Sequence, residues 1–277
     1  MYKEGINLEF ENKQYDGPYE IAEINLESEG EKFRGMIYFP PKSFKMPYPL
    51  VVYFHGFPQL FPLIDIIKNY HYVLDNGFAF IIFNFRGYRY SQGKVSIKNQ
   101  VLDALTIIQL IKEMSTKNIF TLDNVNIVAH DFGAYIGLLV CSKIEIVNKL
   151  ILISPILNLK RHIFNDDFKK TLEYINRFLP GIVRGTENIN EFVDLTKKEL
   201  SEKQFSIENS VKELKNRKIK IISGEIDKIT PTKEVYLIFK DSNVIPKVSI
   251  ISCMDHDCAY EEDLKKIEEE ILNFLKE

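Results

Sequence analysis

The stretch Val125-Asn126-Ile127-Val128-Ala129-His130-Asp131-Phe132-Gly133 decides how this sequence folds. Its first half is apolar and rich in β-branched residues, as a strand buried on both faces requires. Its second half reads small, any, reactive, any, glycine. That is the spacing of a nucleophile elbow, where a strand turns sharply into a helix and holds one side chain above the sheet edge. Small residues flank the turn because the two backbones crowd together there. The reactive position is usually serine; here it is Asp131. A serine implies acyl-enzyme chemistry. A carboxylate suggests attack on a saturated carbon, giving an alkyl ester that water then cleaves. Read alone, Asp131 also fits an ordinary aspartate stabilised at a helix N-terminus by the helix dipole, a reading that the elbow spacing and the downstream pair make the weaker one.

Working outward, the same alternation recurs. Upstream, residues 50–54 and 78–83 are short apolar runs, and residues 63–76 read as a helix stopped by Gly77. Residues 96–114 place Ile97, Val101, Ala104, Leu105, Ile108 and Ile111 on one helical stripe behind the N-cap candidate Ser96. The elbow strand, 125–129, leads into a helix over 133–143, and 147–153 is strand again. Before all of these, 19–27 and 31–39 read as an antiparallel hairpin at a sheet edge. Near the end come a strand at 218–223, a helix at 232–239, a strand at 248–251 and an amphipathic helix at 261–274. This order predicts a mostly parallel sheet with helices on both faces. Residues 155–216 interrupt it: they are charged, helical in pattern and broken by Pro180-Gly181. The expected organisation is therefore a core of 1–154 and 217–277 with a helical cap at 155–216, over a ligand site at the C-terminal edge of the sheet.

Two further acids and bases fall at that edge. The strand 218–223 ends in Gly224-Glu225-Ile226-Asp227, and Pro231 opens the next helix. The strand 248–251 is followed by Asp255-His256-Asp257. The chain order is nucleophile, acid, histidine, with Asp131, Asp227 and His256 in those roles. Histidine alone among common side chains exchanges protons readily near neutrality, and Asp227 would fix its tautomer and stabilise the imidazolium. Asp255 and Asp257 are rival acids by proximity, although neighbours in sequence seldom point at their own histidine. Upstream, His55-Gly56-Phe57-Pro58 follows the strand 50–54. Gly56 permits a tight turn that aims the Phe57 N–H into the site, and the Phe132 N–H is the expected second donor of an oxyanion hole.

On these residues the chain resembles the α/β-hydrolase superfamily over nearly its whole length. His55-Gly56-Phe57-Pro58-Gln59 and His130-Asp131-Phe132-Gly133-Ala134 resemble epoxide hydrolases and dehalogenases with an aspartate nucleophile. The resemblance implies a nucleophile at Asp131, a charge-stabilising acid at Asp227 and a general base at His256. The hairpin and Asn84-Phe85-Arg86-Gly87-Tyr88-Arg89-Tyr90-Ser91-Gln92-Gly93 look more like serine esterases and S9- or S33-type peptidases. Haloalkane dehalogenases hold the halide with tryptophan, and this chain has none; Phe132 stands after the nucleophile. Haloacid enzymes place arginines where Phe132 and Tyr135 stand. Epoxide hydrolases protonate the ring oxygen with cap tyrosines, and 155–216 contains only Tyr174, the one candidate for that role. Three readings follow: a hydrolase opening epoxides or similar electrophiles, an esterase-like or peptidase-like relative altered by the Ser-to-Asp change, and a non-catalytic ligand-binding or scaffold protein.

Composition narrows the partners. A net charge of −3 provides no general basic field for nucleic acid. No apolar run approaches the ~20 residues of a membrane span, and the first residues do not read as a signal peptide. A cytoplasmic protein is expected, acting without a cofactor on a small apolar or amphipathic organic substrate. Cys253 and Cys258 flank His256, but no fourth ligand lies near in sequence, so no metal is expected. Arg86 is expected to tie its loop down, and Arg89 to do the same or to hold an anionic substrate. His55 reads as a structural residue of the oxyanion loop, and His130 as pointing away from the site. His71 and His162 carry no signal.

Overall fold

The computed structural model describes residues 14–214, 217–240, 242 and 244–277. Its centre is a nine-stranded sheet of order β1-β2-β3-β5-β4-β6-β7-β8-β9. The strands are β1 Gln14–Asp16, β2 Tyr19–Ser28, β3 Glu31–Tyr38, β4 Tyr48–Phe54, β5 Ala79–Phe83, β6 Phe120–His130, β7 Val147–Ile153, β8 Lys218–Gly224 and β9 Lys247–Ile251. β1, β2 and β3 run antiparallel to their neighbours, and β3 joins β5 antiparallel. From β5 onward every pairing is parallel. Parallel strands need covering on both faces, which explains why Leu50, Val51, Val52, Ala79, Phe80, Ile81 and Ile82 are all fully buried. Each such aliphatic side chain contributes roughly 1.5–3 kcal/mol by leaving water.

The helices are α1 Leu63–Lys68, α2 His71–Asp75, α3 Ile97–Thr116, α4 Phe132–Cys141, α5 Leu159–Ile163, α6 Asp166–Phe178, α7 Ile189–Ser201, α8 Ile207–Glu213, α9 Thr232–Phe239 and α10 Glu261–Lys276, with a 3₁₀ turn at Lys203–Phe205. The stretch read as one helix over 63–76 is two, broken at Asn69-Tyr70. Tyr70 leaves the helical region at φ −126°, and its ring packs against Tyr53 and Phe80 at 5.1 and 5.3 Å. Local periodicity lost to that aromatic contact. α3 begins as expected: the Ser96 side chain accepts a hydrogen bond from the Asn99 N–H. Its buried face carries Asp103 and Gln100 as well as the apolar stripe. α4 is buried at every position, the consequence of an unbroken run from Phe132 to Cys141 with no charged residue.

Between β7 and β8 the alternation gives way to α5, α6, α7, the 3₁₀ turn and α8. Asn158, Asn165, Asn188 and Ser206 each cap one of these helices through the side chain. Backbone hydrogen bonds strap this segment to the loop after β5: Arg89 N–H to the Ile182 carbonyl, Arg184 N–H to Gly87, and Val95 N–H to Arg184. Glu199 of α7 is buried and accepts from the Ile97 and Lys98 N–H groups, at 2.8 and 3.1 Å, capping α3 from across the interface. Among the described residues no helix is long and apolar enough to cross a membrane.

Candidate active site

The register of the parallel strands aligns their C-terminal ends. Phe54 pairs with Ala129, His130 with Ile153, Ile153 with Ile222 and Gly224 with Ile251. Residues that follow these strands therefore meet at one edge. Asp131 stands there with φ +54° and ψ −120°, a backbone conformation that a side-chain-bearing residue adopts only under constraint. The constraint is visible on both sides. The Asp131 N–H donates to the Ile153 carbonyl at 3.0 Å, and its own carbonyl accepts from Ala134 and Ile156. A Cβ on Gly133 would lie 2.2 Å from the Phe54 carbonyl oxygen, so the motif's last position must be glycine.

Asp131, Asp227 and His256 come together from β6, β8 and the loop after β9. His256 Nε2 is 3.2 Å from Asp131 Oδ1, and Nδ1 is 3.0 Å from Asp227 Oδ2. Asp255 instead accepts from the Asp257 N–H, so neither rival acid takes the place of Asp227. Asp227 is further fixed by the Ile229 and Thr230 N–H groups at 2.9 and 2.8 Å and by the Thr230 hydroxyl. Thr230 also lies 3.4 Å from His256 Nδ1. Its role was not read from the sequence, although the Asp-x-x-Thr spacing before Pro231 is a recognisable side-chain turn. Burial opposes charge on His256, but the hydrogen bonds and charges of Asp131 and Asp227 outweigh it and raise the imidazole to about 10. Burial likewise opposes ionisation of Asp227, yet His256 and Thr230 bring it down to about 2. Asp131 also lies below the usual carboxylate range, its burial overcome chiefly by the bond to His256. The resting cluster is a cation held between two anions.

The second oxygen of Asp131 faces the loop after β4. The Phe57 N–H donates to Asp131 Oδ2 at 2.6 Å. Of the two expected donors, Phe57 alone reaches this carboxylate. Gly56 is required by close approach: a Cβ there would sit 2.5 Å from Asp131 Oδ2. His55 anchors the loop, with Nδ1 2.8 Å from the Gly56 carbonyl and the Phe85 N–H donating to Nε2 at 3.2 Å. Those partners assign the proton to Nδ1, and burial lowers the ring to about 4, keeping it neutral.

Beyond the Phe57 and Phe132 rings lies a cavity of about 20 Å³, completed by Ile156, Leu159, Ile163 and His162, by Phe168 and Phe192, and by Val95 and Ile97 beside Ser96 and Thr196. That is room for about one water. Tyr174 does not reach it. It is 60% exposed and its ring packs, tilted, against Phe178 of its own helix at 4.7 Å between centroids, the contact set by four-residue spacing on an outward face. His162, which carried no signal, lies in the wall instead. His130 does not point away: its ring lies nearly parallel to that of His256 with centroids 6.3 Å apart. Arg86 is buried and bonds Asp103, Ser28, Glu31 and Asn99, tying four segments together. Arg89 is bound to the Leu60 carbonyl. Cys253 is exposed while Cys258 is buried beside Ser154. Among the described residues no group of three His, Cys, Asp or Glu side chains is placed to hold a metal ion.

Comparison with known proteins agrees with this architecture. The solved structure of Est1E from Butyrivibrio proteoclasticus with ferulic acid bound superposes with a TM-score of 0.70 at 17% identity, over 91% of this chain and 97% of that one. Acetyl xylan esterase 1 from Thermoanaerobacterium sp. JW/SL YS485 matches with a TM-score of 0.65 at 16% identity, over 99% of this chain and 89% of that one. An esterase of Pyrococcus furiosus gives 0.68 at 15% identity, over 93% and 91%. Identities this low speak for the fold alone. A search of curated protein sequences finds no match. A family profile described as the alpha/beta hydrolase fold matches residues 49–206, more than half of the sequence and including the elbow. The chain belongs to the alpha/beta hydrolase fold family.

Proposed function

We propose that this protein is a hydrolase that takes an alkyl group onto Asp131, opening an epoxide or similar strained electrophile, and then cleaves the resulting ester with water. The observation that carries the reading is the 2.6 Å bond from the Phe57 N–H to Asp131 Oδ2. An acyl-transfer enzyme keeps that donor free for the substrate carbonyl. Here the enzyme's own carboxylate occupies it, which suits a mechanism in which Oδ2 becomes the ester carbonyl oxygen.

The steps balance as follows. Asp131 Oδ1 attacks a ring carbon, the carbon–oxygen bond of the ring breaks, and the released oxygen takes up a proton. Alkylation removes the Asp131 charge, one of the two that keep His256 protonated, so His256 can release its proton. Neutral His256 then accepts a proton from water as that water attacks the Asp131 carbonyl carbon. Negative charge collects on Oδ2, beside the Phe57 N–H. The intermediate collapses by breaking the bond from Cγ to Oδ1, which leaves as the product hydroxyl with the proton from His256. Asp227 holds the ring throughout.

A second reading is favoured by specific observations. His256 Nε2 contacts Asp131 Oδ1 directly at 3.2 Å, with no space for a water between them, and among the described residues no tyrosine lines the cavity. These fit an esterase-derived protein whose carboxylate blocks its own oxyanion donor. Two experiments separate the readings. A single turnover on an epoxide in ¹⁸O-water should label Asp131 and leave the product unlabelled, since the product takes Oδ1. In the second, Asp131→Ser and wild type are assayed on an activated ester and on an epoxide. Ester hydrolysis gained by the serine variant, with wild type inert toward every epoxide and showing no adduct by mass spectrometry, would overturn the alkyl-transfer reading.

A further inference from the structure

His256 has two carboxylate partners, and the ties that fix its loop divide between them. Toward Asp227, the loop after β9 is fastened to the end of β8. The Ile226 N–H donates to the Met254 carbonyl at 3.1 Å, and the Glu225 carboxylate accepts from the Ser252 hydroxyl and the Cys253 N–H at 2.8 and 3.2 Å. A Cβ on Gly224 would lie 2.1 Å from the Met254 carbonyl oxygen, so the two segments are in close contact. Toward Asp131, different groups make the connection. The Cys258 thiol donates to the His256 carbonyl at 3.4 Å, and the Ser154 hydroxyl lies 3.6 Å from the same sulfur. Both residues are buried, and both hold a left-handed backbone, at φ +51° and +42°, that only surrounding contacts can maintain. Ser154 is fixed to the sheet, its N–H donating to the Ile222 carbonyl at 2.9 Å. Its neighbours hold the elbow: the Ile153 carbonyl accepts from the Asp131 N–H, and the Ile156 N–H donates to the Asp131 carbonyl.

We propose that Cys258 and Ser154 are positioning residues that set the reach of His256 to Asp131. The Ser154 hydroxyl donates to the Cys258 sulfur, and the thiol donates onward to the His256 carbonyl. The chain thus runs from the segment that holds the elbow to the backbone of the histidine. Each link is a weak hydrogen bond. Their leverage is geometric: His256 Nε2 stands 3.2 Å from Asp131 Oδ1, at the long end of a good hydrogen bond, so a small shift of the His256 backbone opens that contact. The contact with Asp227 does not depend on them, because Glu225 and Ile226 hold that side. Burial pushes the Cys258 thiol up to about 12 against the opposing bond from Ser154, so the sulfur keeps its proton and stays a donor while His256 titrates. This positioning serves an alkyl-transfer site and an esterase-derived one alike and rests on neither reading.

The test is an NMR titration of the histidine ring nitrogens in wild type, Cys258→Ala, Cys258→Ser and Ser154→Ala, with no substrate present. In wild type His256 should titrate at about 10. Cys258→Ala should weaken its hold on the proton by about tenfold or more as the Asp131 charge draws away. The low-field signal of the Nδ1–H bonded to Asp227 should stay in place. Cys258→Ser returns a donor to the His256 carbonyl and should bring the titration back toward that of wild type. Ser154→Ala should act in the same direction as Cys258→Ala but less strongly, and it carries the test if Cys258→Ala does not fold. Unchanged titration of His256 in whichever of the two alanine variants folds would overturn the role of the pair. So would loss of the Asp227 signal along with the fall, the sign of a loop loosened as a whole, or a fall that Cys258→Ser does not reverse. No epoxide enters the measurement, so these outcomes are separate from whether Asp131 accepts an alkyl group.

Discussion

Asp131, Asp227 and His256 reach the site from the ends of parallel strands, whereas His162, Phe168 and Phe192 reach it from helices that no strand register controls. The first group is positioned by backbone. Asp131 is held by the Ile153 carbonyl and by the close packing of Gly133 on β4, and Asp227 by two N–H groups and Thr230. The second group is positioned by a few long-range ties. These are the bonds to the loop after β5, the capping of α3 by Glu199, and the Tyr135 hydroxyl donating to the Phe205 carbonyl at 2.6 Å. On the proposed alkyl-transfer reading, the sheet edge carries the chemistry and the helical wall limits what fits.

The largest expected effect tests the sheet edge. His256→Gln removes the base that the proposed ester hydrolysis requires but leaves the Asp131 carboxylate in place. Adduct should still form on exposure to an epoxide, while its breakdown slows by ~10²–10⁴-fold. Intact-protein mass spectrometry over time reads both steps, and breakdown at the wild-type rate would remove His256 from the mechanism.

The next concerns the scaffold that both walls share. Arg86→Ala strips Asp103 of its buried partner, and burial already raises that carboxyl to about 6 against the opposing pull of Arg86. A loss of about 3–5 kcal/mol in folding stability is expected from denaturant unfolding, because Asp103 must then stay charged without its partner or take up a proton, and the Ser28 and Asn99 carbonyls lose their buried donor. A change under about 1 kcal/mol would show that the loop after β5 is held by something else.

A smaller effect should sharpen the role of the helical wall. Glu199→Ala releases two N–H groups at the start of α3 and one tie on α7. Stability should fall by about 1–3 kcal/mol, and adduct formation should shift in favour of bulkier epoxides such as styrene oxide. An unchanged size preference would mean that the wall is positioned independently of Glu199.

The smallest effect is in the pH dependence of stability. His256 is raised from 6.5 to about 10, so its contribution is complete below 6.5 and is lost as pH climbs through about 10. Asp227 is depressed from 3.8 to about 2, so its contribution is complete above 3.8 and is lost as pH falls through about 2. The melting temperature of wild type should therefore decline by a few degrees on the alkaline side, and His256→Gln should flatten that limb. An identical alkaline decline in both proteins would show that His256 is not held charged in the folded state.

The amino-acid sequence by itself determined the alternation of strands and helices, the carboxylate at the elbow and the order of Asp131, Asp227 and His256. Those features are local: buried parallel strands read as short apolar runs, and an elbow needs small residues at fixed spacing. Where tertiary contacts competed with local pattern, the sequence reading failed, as at Tyr70, whose ring breaks the helix to pack on Tyr53 and Phe80. Only the tertiary structure decided that Tyr174 faces outward, that His130 lies against His256, that Thr230 braces Asp227, and that Asp131 itself occupies the Phe57 donor. It alone placed His162 in the cavity wall. The reason is separation along the chain. Asp131 meets Phe57 across 74 residues and His256 across 125, and the orientation of a helix in the wall depends on what it packs against rather than on its own period.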